Sequence, residues 1–541
     1  MSDTAHETEL KLRVPARTAG KLSRHPAIVA LKNGRTRTAR LRSIYFDTPD
    51  FRLARSGVAV RLRHDGRRWL QTAKGSATDA SGAGLAQRVE CEWPLGASRT
   101  RPPIDHAKLA TTPFSDKIDK AIRHAPLGPL FVTRFERTTV PVRFDDGTAA
   151  LVCIDIGAIH AGEHGSTQSA KAPIAEVEIE LESGNVTRLF ELARALAVDV
   201  PIVVETRSKA ARGYALLTAE LDPASTAEPL DYPEDATAAV AMASILRNCV
   251  RQIETNADAL RRGGDVEAVH QMRVGVRRTR AATTLLRPVI DGQVLRPIEE
   301  TLRWLGTVLG DVRDLDVFGT QTLAAMGAAA SRMHDTDPAL AASIDELREL
   351  ARSQADAARV DARAAIASPR YAGLILDVGH LAASFSATGV ADPDRSRGLA
   401  RPARAFASEL LERRHRKLRR AAKGLESSTT AQRHALRVQA KKMRYASEFF
   451  APLFGAKRTR KYVEPLVDLQ RELGAANDAS VAARTAIRLA PGKTSAAAVA
   501  GWTSARGGSD AKRIERRWRE VARAKRFWDR PKAEPPEAPM L

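Results

Sequence analysis

At 541 residues and 58.7 kDa the chain is too long for one hydrophobic core, and 43% apolar with 28% charged residues marks globular protein rather than a disordered tail. Lys and Arg number 86 against 64 Asp and Glu, a net charge of +22, so the expected partner is a polyanion: nucleic acid, an acidic membrane surface or a phosphate chain. Aromatic residues make up only 5%, which speaks against single-strand nucleic-acid binding by base stacking. No run approaches the roughly 18 apolar residues of a membrane span. The polar start, MSDTAHETELK, lacks the pattern of a signal peptide. Cys91, Cys153 and Cys249 are widely separated; they suggest neither a disulfide framework nor a zinc knuckle and fit a reducing cytoplasm. The charge is not one tail, being +8 through residue 220 and +14 beyond it.

The first 218 residues read mostly as strands. Val58–Arg63, Arg68–Lys74, Leu85–Trp93, Leu151–Gly157 and Ala175–Glu182 alternate apolar and polar residues with period two. A helical stretch, Val186–Leu196, follows the last of them. Thr218–Thr237, rich in Pro, Asp, Glu and Ala, reads as a linker. Beyond it the pattern is Ala- and Leu-rich with helical spacing, and strand signals nearly vanish. The final residues, RPKAEPPEAPML, read as a frayed tail. The helical part contains a repeat: HQMRVGVRRTRAATTLLRPVI at His270 matches HALRVQAKKMRYASEFFAPLF at His434, 164 residues on. Gly310 and Asp314 of LGDVRDLDV recur as Gly474 and Asp478 of LGAANDASV at the same offset of 164, which points to a duplicated helical unit.

Residues at i, i+2 and i+4 of a strand share a face. Glu7, Glu9 and Lys11 therefore lie together, as do Arg61 with Arg63, Arg88 with Glu90 and Glu92, and Glu176 with Glu178 and Glu180. For any single strand, a half-buried sheet with a solvated charged face accounts for this. Its recurrence on several strands does not fit so well, because like carboxylates at neighbouring ladder positions repel. A closed barrel with an ionic lumen explains it, if divalent cations neutralise the glutamates and an anion neutralises the Arg and Lys. Hard oxygen ligands suit Mg²⁺ or Mn²⁺, with phosphates bridging metal and guanidinium.

The ordered set Glu7-x-Glu9-x-Lys11, Tyr45-Phe46-Asp47-Thr48, Leu53 with Gly57-x-Ala59-x-Arg61-x-Arg63, Thr72-x-Lys74-Gly75, Arg88-x-Glu90-x-Glu92, Arg137, Asp155-x-Gly157, Glu176-x-Glu178-x-Glu180, Ser208-Lys209 and Gly213-Tyr214 resembles the CYTH domain, the triphosphate tunnel metalloenzymes, over residues 4–216. The first motif alone is weak; the ordered set is specific. The resemblance implies an eight-stranded antiparallel tunnel holding a linear triphosphate with divalent metal. It assigns metal to Glu7, Glu9, Asp155, Glu176, Glu178 and Glu180, with Glu90 and Glu92 assisting, and phosphate to Lys11, Arg61, Arg63, Lys74, Arg88 and Arg137. It gives Lys209 or Lys11 the part of orienting or deprotonating the attacking water. Glu182 is expected at the rim.

In the helical part, His270, Arg273, Arg277 and Arg280 fall within an arc of about 80° on a helix. His434, Arg437, Lys441 and Arg444 repeat it, with Arg278 and Lys442 flanking. One such stripe is ordinarily a solvated face, but four cations on one face repel unless an anion bridges them, and the stripe occurs twice. The pattern H-x-x-R-V-x-x-[RK]-[RK]-x-R, followed by the Gly310–Asp314 and Gly474–Asp478 motifs, resembles the CHAD domain over residues 235–525; Asn477 stands where the first repeat has Arg313. That family is helical, pseudo-symmetric and binds inorganic polyphosphate, so the ten His, Arg and Lys residues of the two stripes, together with Arg416 and Lys417, are expected on the chain, and Asp314 and Asp478 are expected to buttress arginines. Gly492-Lys493-Thr494 mimics the end of a P-loop, but Ile487 occupies the first glycine position and no strand precedes it.

The fold expected is α+β multidomain: an N-terminal eight-stranded antiparallel β tunnel with flanking helices at 1–218, a linker at 219–234, an all-α pseudo-two-fold helical bundle at 235–528 (repeats about 235–400 and 401–528), and a tail at 529–541. The function expected is a metal-dependent inorganic triphosphatase joined to a polyphosphate-binding domain, cytoplasmic and associated with polyphosphate granules. The alternatives are a thiamine or nucleoside triphosphatase, a class IV-type adenylyl cyclase, or a non-catalytic polyphosphate-targeting protein. Nucleic acid is the minor alternative partner.

Overall fold

The computed structural model describes residues 3–75, 82–98, 100–123, 125–161, 170–218, 224–264, 266–332, 338–385, 398–425, 428–507 and 511–529. The expected tail, apart from Asp529, and the first part of the expected linker lie outside them. The chain divides into two compact units, one formed by Met1–Ser225 with Leu246–Ala268 and Ala365–Thr388, the other by Thr226–Ile245, Val269–Ala364 and Gly389–Leu541. Two helical segments thus belong with the strand-rich unit. Periodicity shows that they are helical but carries no information about which surface they cover.

The first unit is built on strands β1 (Asp3–Arg13), β2 (Arg37–Asp47), β3 (Ala59–His64), β4 (Trp69–Lys74), β5 (Leu85–Gly96), β6 (Gly128–Arg143), β7 (Ala149–Ala161), β8 (Ala170–Ser183) and β9 (Val203–Val204). They run in the order β5-β4-β3-β2-β6-β7-β8-β1-β9, every pairing antiparallel. β1 pairs with both β8 and β5, which closes β1–β8 into a barrel and removes its free edges. β9 is a two-residue addition to β1.

The barrel has an apolar outside. Val60, Ala73, Cys91 and Trp93 form a buried cluster with Leu109, Phe114, Ile118 and Ala121, so the helix Ser115–Ile122 shields β3–β5. The helix Thr187–Leu196 lies against β1 and β8 and buries Leu189 and Phe190. Each large side chain so removed from water contributes about 1.5–3 kcal/mol. The other phase of the alternation is left facing inward.

A further helix, Lys209–Thr218, closes on aromatic residues of the barrel. A Cβ on Gly213 would come within 2.2 Å of the Phe131 ring, so only glycine permits this approach. The next residue, Tyr214, donates a hydrogen bond to Asp47 (2.9 Å), a fully buried carboxylate that also accepts from the backbone N–H groups of Thr48, Leu53 and Ala54. Asp47 therefore ties the end of β2 to that helix.

The second unit is helical, and its duplication is visible in where helices begin. Val266–Leu286 and Thr430–Phe450 are displaced by 164 residues at both ends, and Gly292–Val317 and Ala456–Leu489 begin 164 apart. Asp291 caps the second helix of the first repeat through the N–H of Gln293, and Thr429 forms a capping box with Gln432 in the other repeat. The two repeats meet through reciprocal backbone bonds, Ala238 N–H to Arg401 O and Ala403 N–H to Ala236 O, both 2.8 Å. No described helix is long and apolar enough to cross a membrane.

Candidate active site and a basic basin

The barrel encloses a cavity of about 340 Å³. Strand register explains its lining. Tyr45 pairs with Arg61, Arg61 with Thr72 and Thr72 with Glu92; Lys74 pairs with Glu90, Glu7 with Arg88, Glu9 with Glu180 and Lys11 with Glu178. Period-two alternation carried around a closed sheet places all of these side chains on one inner wall. Of the residues expected in the tunnel, Glu7, Glu9, Lys11, Arg61, Arg63, Lys74, Arg88, Glu90, Glu92, Arg137, Glu178, Glu180 and Lys209 line the cavity.

Asp155 and Glu176 are fully buried and do not line it. They lie against Lys209 and Arg137, which do line it. Lys209 Nζ lies 2.7 Å from Asp155, 2.5 Å from Glu176 and 3.0 Å from Glu178. Arg137 bonds Asp155 through two nitrogens at 2.7 Å, reaches Glu180 at 3.0 Å and contacts Glu178, while Arg212 holds the other oxygen of Glu176. Sequence reasoning did not find Arg212, which carries no alternation signal because it lies on a helix. It gave no role to Tyr45 and Ser208, which also line the cavity.

The charges are strongly coupled. Burial opposes the charge on Lys209, but Asp155, Glu176 and Glu178 outweigh it and hold its pKa well above the ordinary lysine value. Lys11, 2.9 Å from Glu178 and 3.2 Å from Glu9, is raised in the same way. Burial would raise Glu178, yet Lys11, Lys209 and Arg137 push it well below the usual carboxylate range. Glu180 behaves oppositely: burial, reinforced by Glu178, Glu7 and Glu9 against the pull of Arg137, pushes its pKa up to about 7.

Glu7, Glu9 and Glu180 each offer an oxygen within 4.8 Å of the others, as do Asp155, Glu176 and Glu178. The second trio is occupied with lysine and arginine. The first trio contains the carboxyl whose charge is least stabilised, and it is the donor set that suits a hard divalent cation. Lys74 bridges Glu7 (2.7 Å) and Glu90 (3.0 Å), and Arg61 reaches Glu90 at 3.3 Å. Arg63 and Arg88 make no ion pair among the described residues. Burial and the charges of Arg61 and Arg137 lower the pKa of Arg63, the signature of a cation lacking a counter-charge.

In the second unit, His270, Arg273, Arg277, Arg437 and Lys441 line one cavity of about 470 Å³, with Arg313, Asp314, Asn477 and Asp478. Arg273 faces Asp314 at 4.0 Å and Arg437 faces Asp478 at 3.8 Å, the same ion pair in both repeats. Burial, with Arg437 and Arg277 close by, brings the pKa of Lys441 down to about 7. Arg277 and Lys441 also line a neighbouring cavity with Arg280 and Lys442. The other expected contacts lie elsewhere: Arg278 is buried over the Phe449 ring, Arg444 lies 3.6 Å from Glu448, and His434 is exposed and lines neither cavity. Arg416 and Lys417 line a third cavity.

Two domain families match this chain, CYTH over residues 5–214 and CHAD over residues 244–486. The chain therefore carries a CYTH domain followed by a CHAD domain. The "Inorganic triphosphatase" of Haemophilus influenzae is 34% identical over 176 residues, which are 32% of this chain and 46% of that protein. The chain thus spans just under half the length of that curated relative. Among solved structures, the CHAD domain from the plant Ricinus communis is 31% identical and covers 56% of this chain and 98% of its own, with a TM-score of 0.48. A putative adenylyl cyclase from Hippeastrum, described as having a dominant triphosphatase activity, is 20% identical and covers 40% of this chain and 98% of its own, with a TM-score of 0.28.

Proposed function

We propose that the tunnel hydrolyses inorganic triphosphate to diphosphate and phosphate with a divalent metal, Mg²⁺ or Mn²⁺, and that the helical unit binds inorganic polyphosphate. The observation that carries the first part is the charge of the lining: seven Lys and Arg face six Glu among the described residues. A lumen so close to neutral does not by itself balance a triphosphate of roughly four negative charges at neutral pH. A divalent cation at Glu7, Glu9 and Glu180 supplies most of the difference. When bound, it would neutralise phosphate oxygens and favour attack by water.

The protein's own groups do the rest. Arg63 and Arg88 can take phosphate oxygens without giving up an ion pair, and Arg61 and Lys74 do so by leaving Glu90. Lys209 and Lys11 hold their protons too firmly to serve as bases at neutral pH, so their part is to orient water or phosphate by donating hydrogen bonds. Charge in phosphoryl transfer is spread over the non-bridging oxygens, and positioned cations are what the reaction requires. The CYTH match and the relative named an inorganic triphosphatase support this reading.

The test is phosphate release from inorganic triphosphate, thiamine triphosphate, ATP and long polyphosphate side by side, with Mg²⁺ and with Mn²⁺. Fastest turnover of inorganic triphosphate is expected. Cyclic AMP formation from ATP exceeding triphosphate turnover would replace this reading with the cyclase.

A further inference from the structure

On β1 the inward alternation Glu7, Glu9, Lys11 continues to Arg13. That residue does not line the tunnel. It lines a separate cavity of about 770 Å³ in the first unit, together with Arg207, Arg212 and Arg262. The two cavities share no lining residue. They are separated by a carboxylate that serves both: Glu176 meets Lys209 of the tunnel wall through one oxygen and Arg212 of the second cavity through the other.

The composition of this cavity differs from that of the tunnel. Among the described residues, ten of its fourteen lining residues are apolar, four are arginines and none is acidic. The carboxylates that hold Arg13, Arg207 and Arg212 do not line the cavity. Glu205, its side chain only 1% exposed, holds Arg13 at 3.1 Å with Arg207 at 3.9 Å, and Asp258 holds Arg207 at 2.9 Å. Arg212 is fixed a second time by the carbonyl of Pro173 at 2.7 Å. Guanidinium groups anchored by acids outside the lining, and sharing it with Pro173, Pro201 and Leu216, are pre-organised for an anion that also has an apolar body.

We propose that this cavity is a second ligand site, distinct from the tunnel, which takes a small organic phosphate with its phosphate on the arginines and its apolar body on the proline-rich wall. Inorganic phosphate alone would leave that wall uncovered. The volume accepts one small molecule. Arg13 and Arg207 share one carboxylate, so they stand close enough for a single dianion to bridge them, and the planar forks of arginine suit phosphate oxygens. Because the site needs no carboxylate-held metal, it fills without divalent ions.

Isothermal titration calorimetry on the full-length protein, without divalent metal, tests this with 1-naphthyl phosphate as probe and with orthophosphate and 1-naphthol as its two halves. The expected result is a single site at least tenfold tighter for 1-naphthyl phosphate than for either half. Ala367→Trp, which fills the cavity from an exposed position, and Arg262→Glu should each weaken it at least tenfold. Arg61→Ala, in the tunnel, should leave it unchanged. Absence of saturable binding, or binding lost in Arg61→Ala and kept in both cavity variants, would overturn the proposal. Orthophosphate binding as tightly as the aryl phosphate would overturn the role of the apolar wall.

Discussion

Lys209 and Glu178 show how one inner wall separates into parts that hold the structure and parts that meet a ligand. Glu178 touches Lys11, Lys209 and Arg137, so Glu178→Gln leaves buried cations short of their counter-charge, at a cost of about 3–5 kcal/mol. That variant should lose both turnover and thermal stability. Glu7, paired only with Lys74 among the described residues and less buried, should separate the two: Glu7→Gln is expected to cut triphosphate turnover at least about 100-fold in a phosphate-release assay while the melting temperature changes little. Normal turnover in Glu7→Gln would remove that residue from the metal site. Gly213→Ala carries a different expectation, since its methyl group meets the Phe131 ring. A loss of about 1–3 kcal/mol in chemical denaturation should follow, and an unchanged midpoint would show that the helix can shift at no cost. The inward set was legible because alternation names a face. What alternation does not give is whether an inward carboxylate reaches open space or is sealed among lysine and arginine, which is why Asp155 and Glu176 read in sequence like Glu178 and Glu180.

At the scale of elements, the two stripe helices were legible from an arc of residues repeated at one offset, and the structure brings most of that arc to one basin. The arc was too coarse at its edges. Arg278 and Arg444 turn toward Phe449 and Glu448 because a helix lying between neighbours has several walls, and helical angle alone does not say which wall is open. Lys441 gives this element a pH signature. Its pKa is lowered to about 7 by burial and by Arg437 and Arg277, and a bound polyanion would raise it again. Binding then takes up a proton above pH 7, so polyphosphate affinity should be level below about 7 and fall as pH rises through and beyond it. Lys441→Arg should flatten that part of the profile, because arginine stays charged. Titrations from pH 6 to 9 on both proteins decide it; an identical slope in the two would assign the proton elsewhere.

For the whole molecule, the two proposed activities use different chemistry and should come apart. Chelating divalent ions should stop triphosphate turnover and leave polyphosphate binding in place, because the basin presents fixed cations. Charge reversal at Arg273, Arg277, Arg437 and Lys441 should do the opposite, abolishing polyphosphate binding with turnover kept within about twofold. Loss of both functions under either treatment would contradict their separation. Binding should also weaken steeply with salt, as counterion release requires. The repeated ion pair, Arg273 with Asp314 and Arg437 with Asp478, has a consequence for what such a basin can tell apart. A surface made of one motif used twice, were its copies related by a two-fold rotation, would offer the same cations to a strand threaded in either sense. Inorganic polyphosphate reads identically from both ends, so each half of such a basin would meet it in equivalent fashion and no orientation would be wasted. A nucleic acid strand has direction, and whichever way it lies, one half of such a basin would meet its sugars reversed. If the basin holds polyphosphate as proposed, duplication of a helix pair would favour a polymer without polarity, a criterion that net charge alone does not supply.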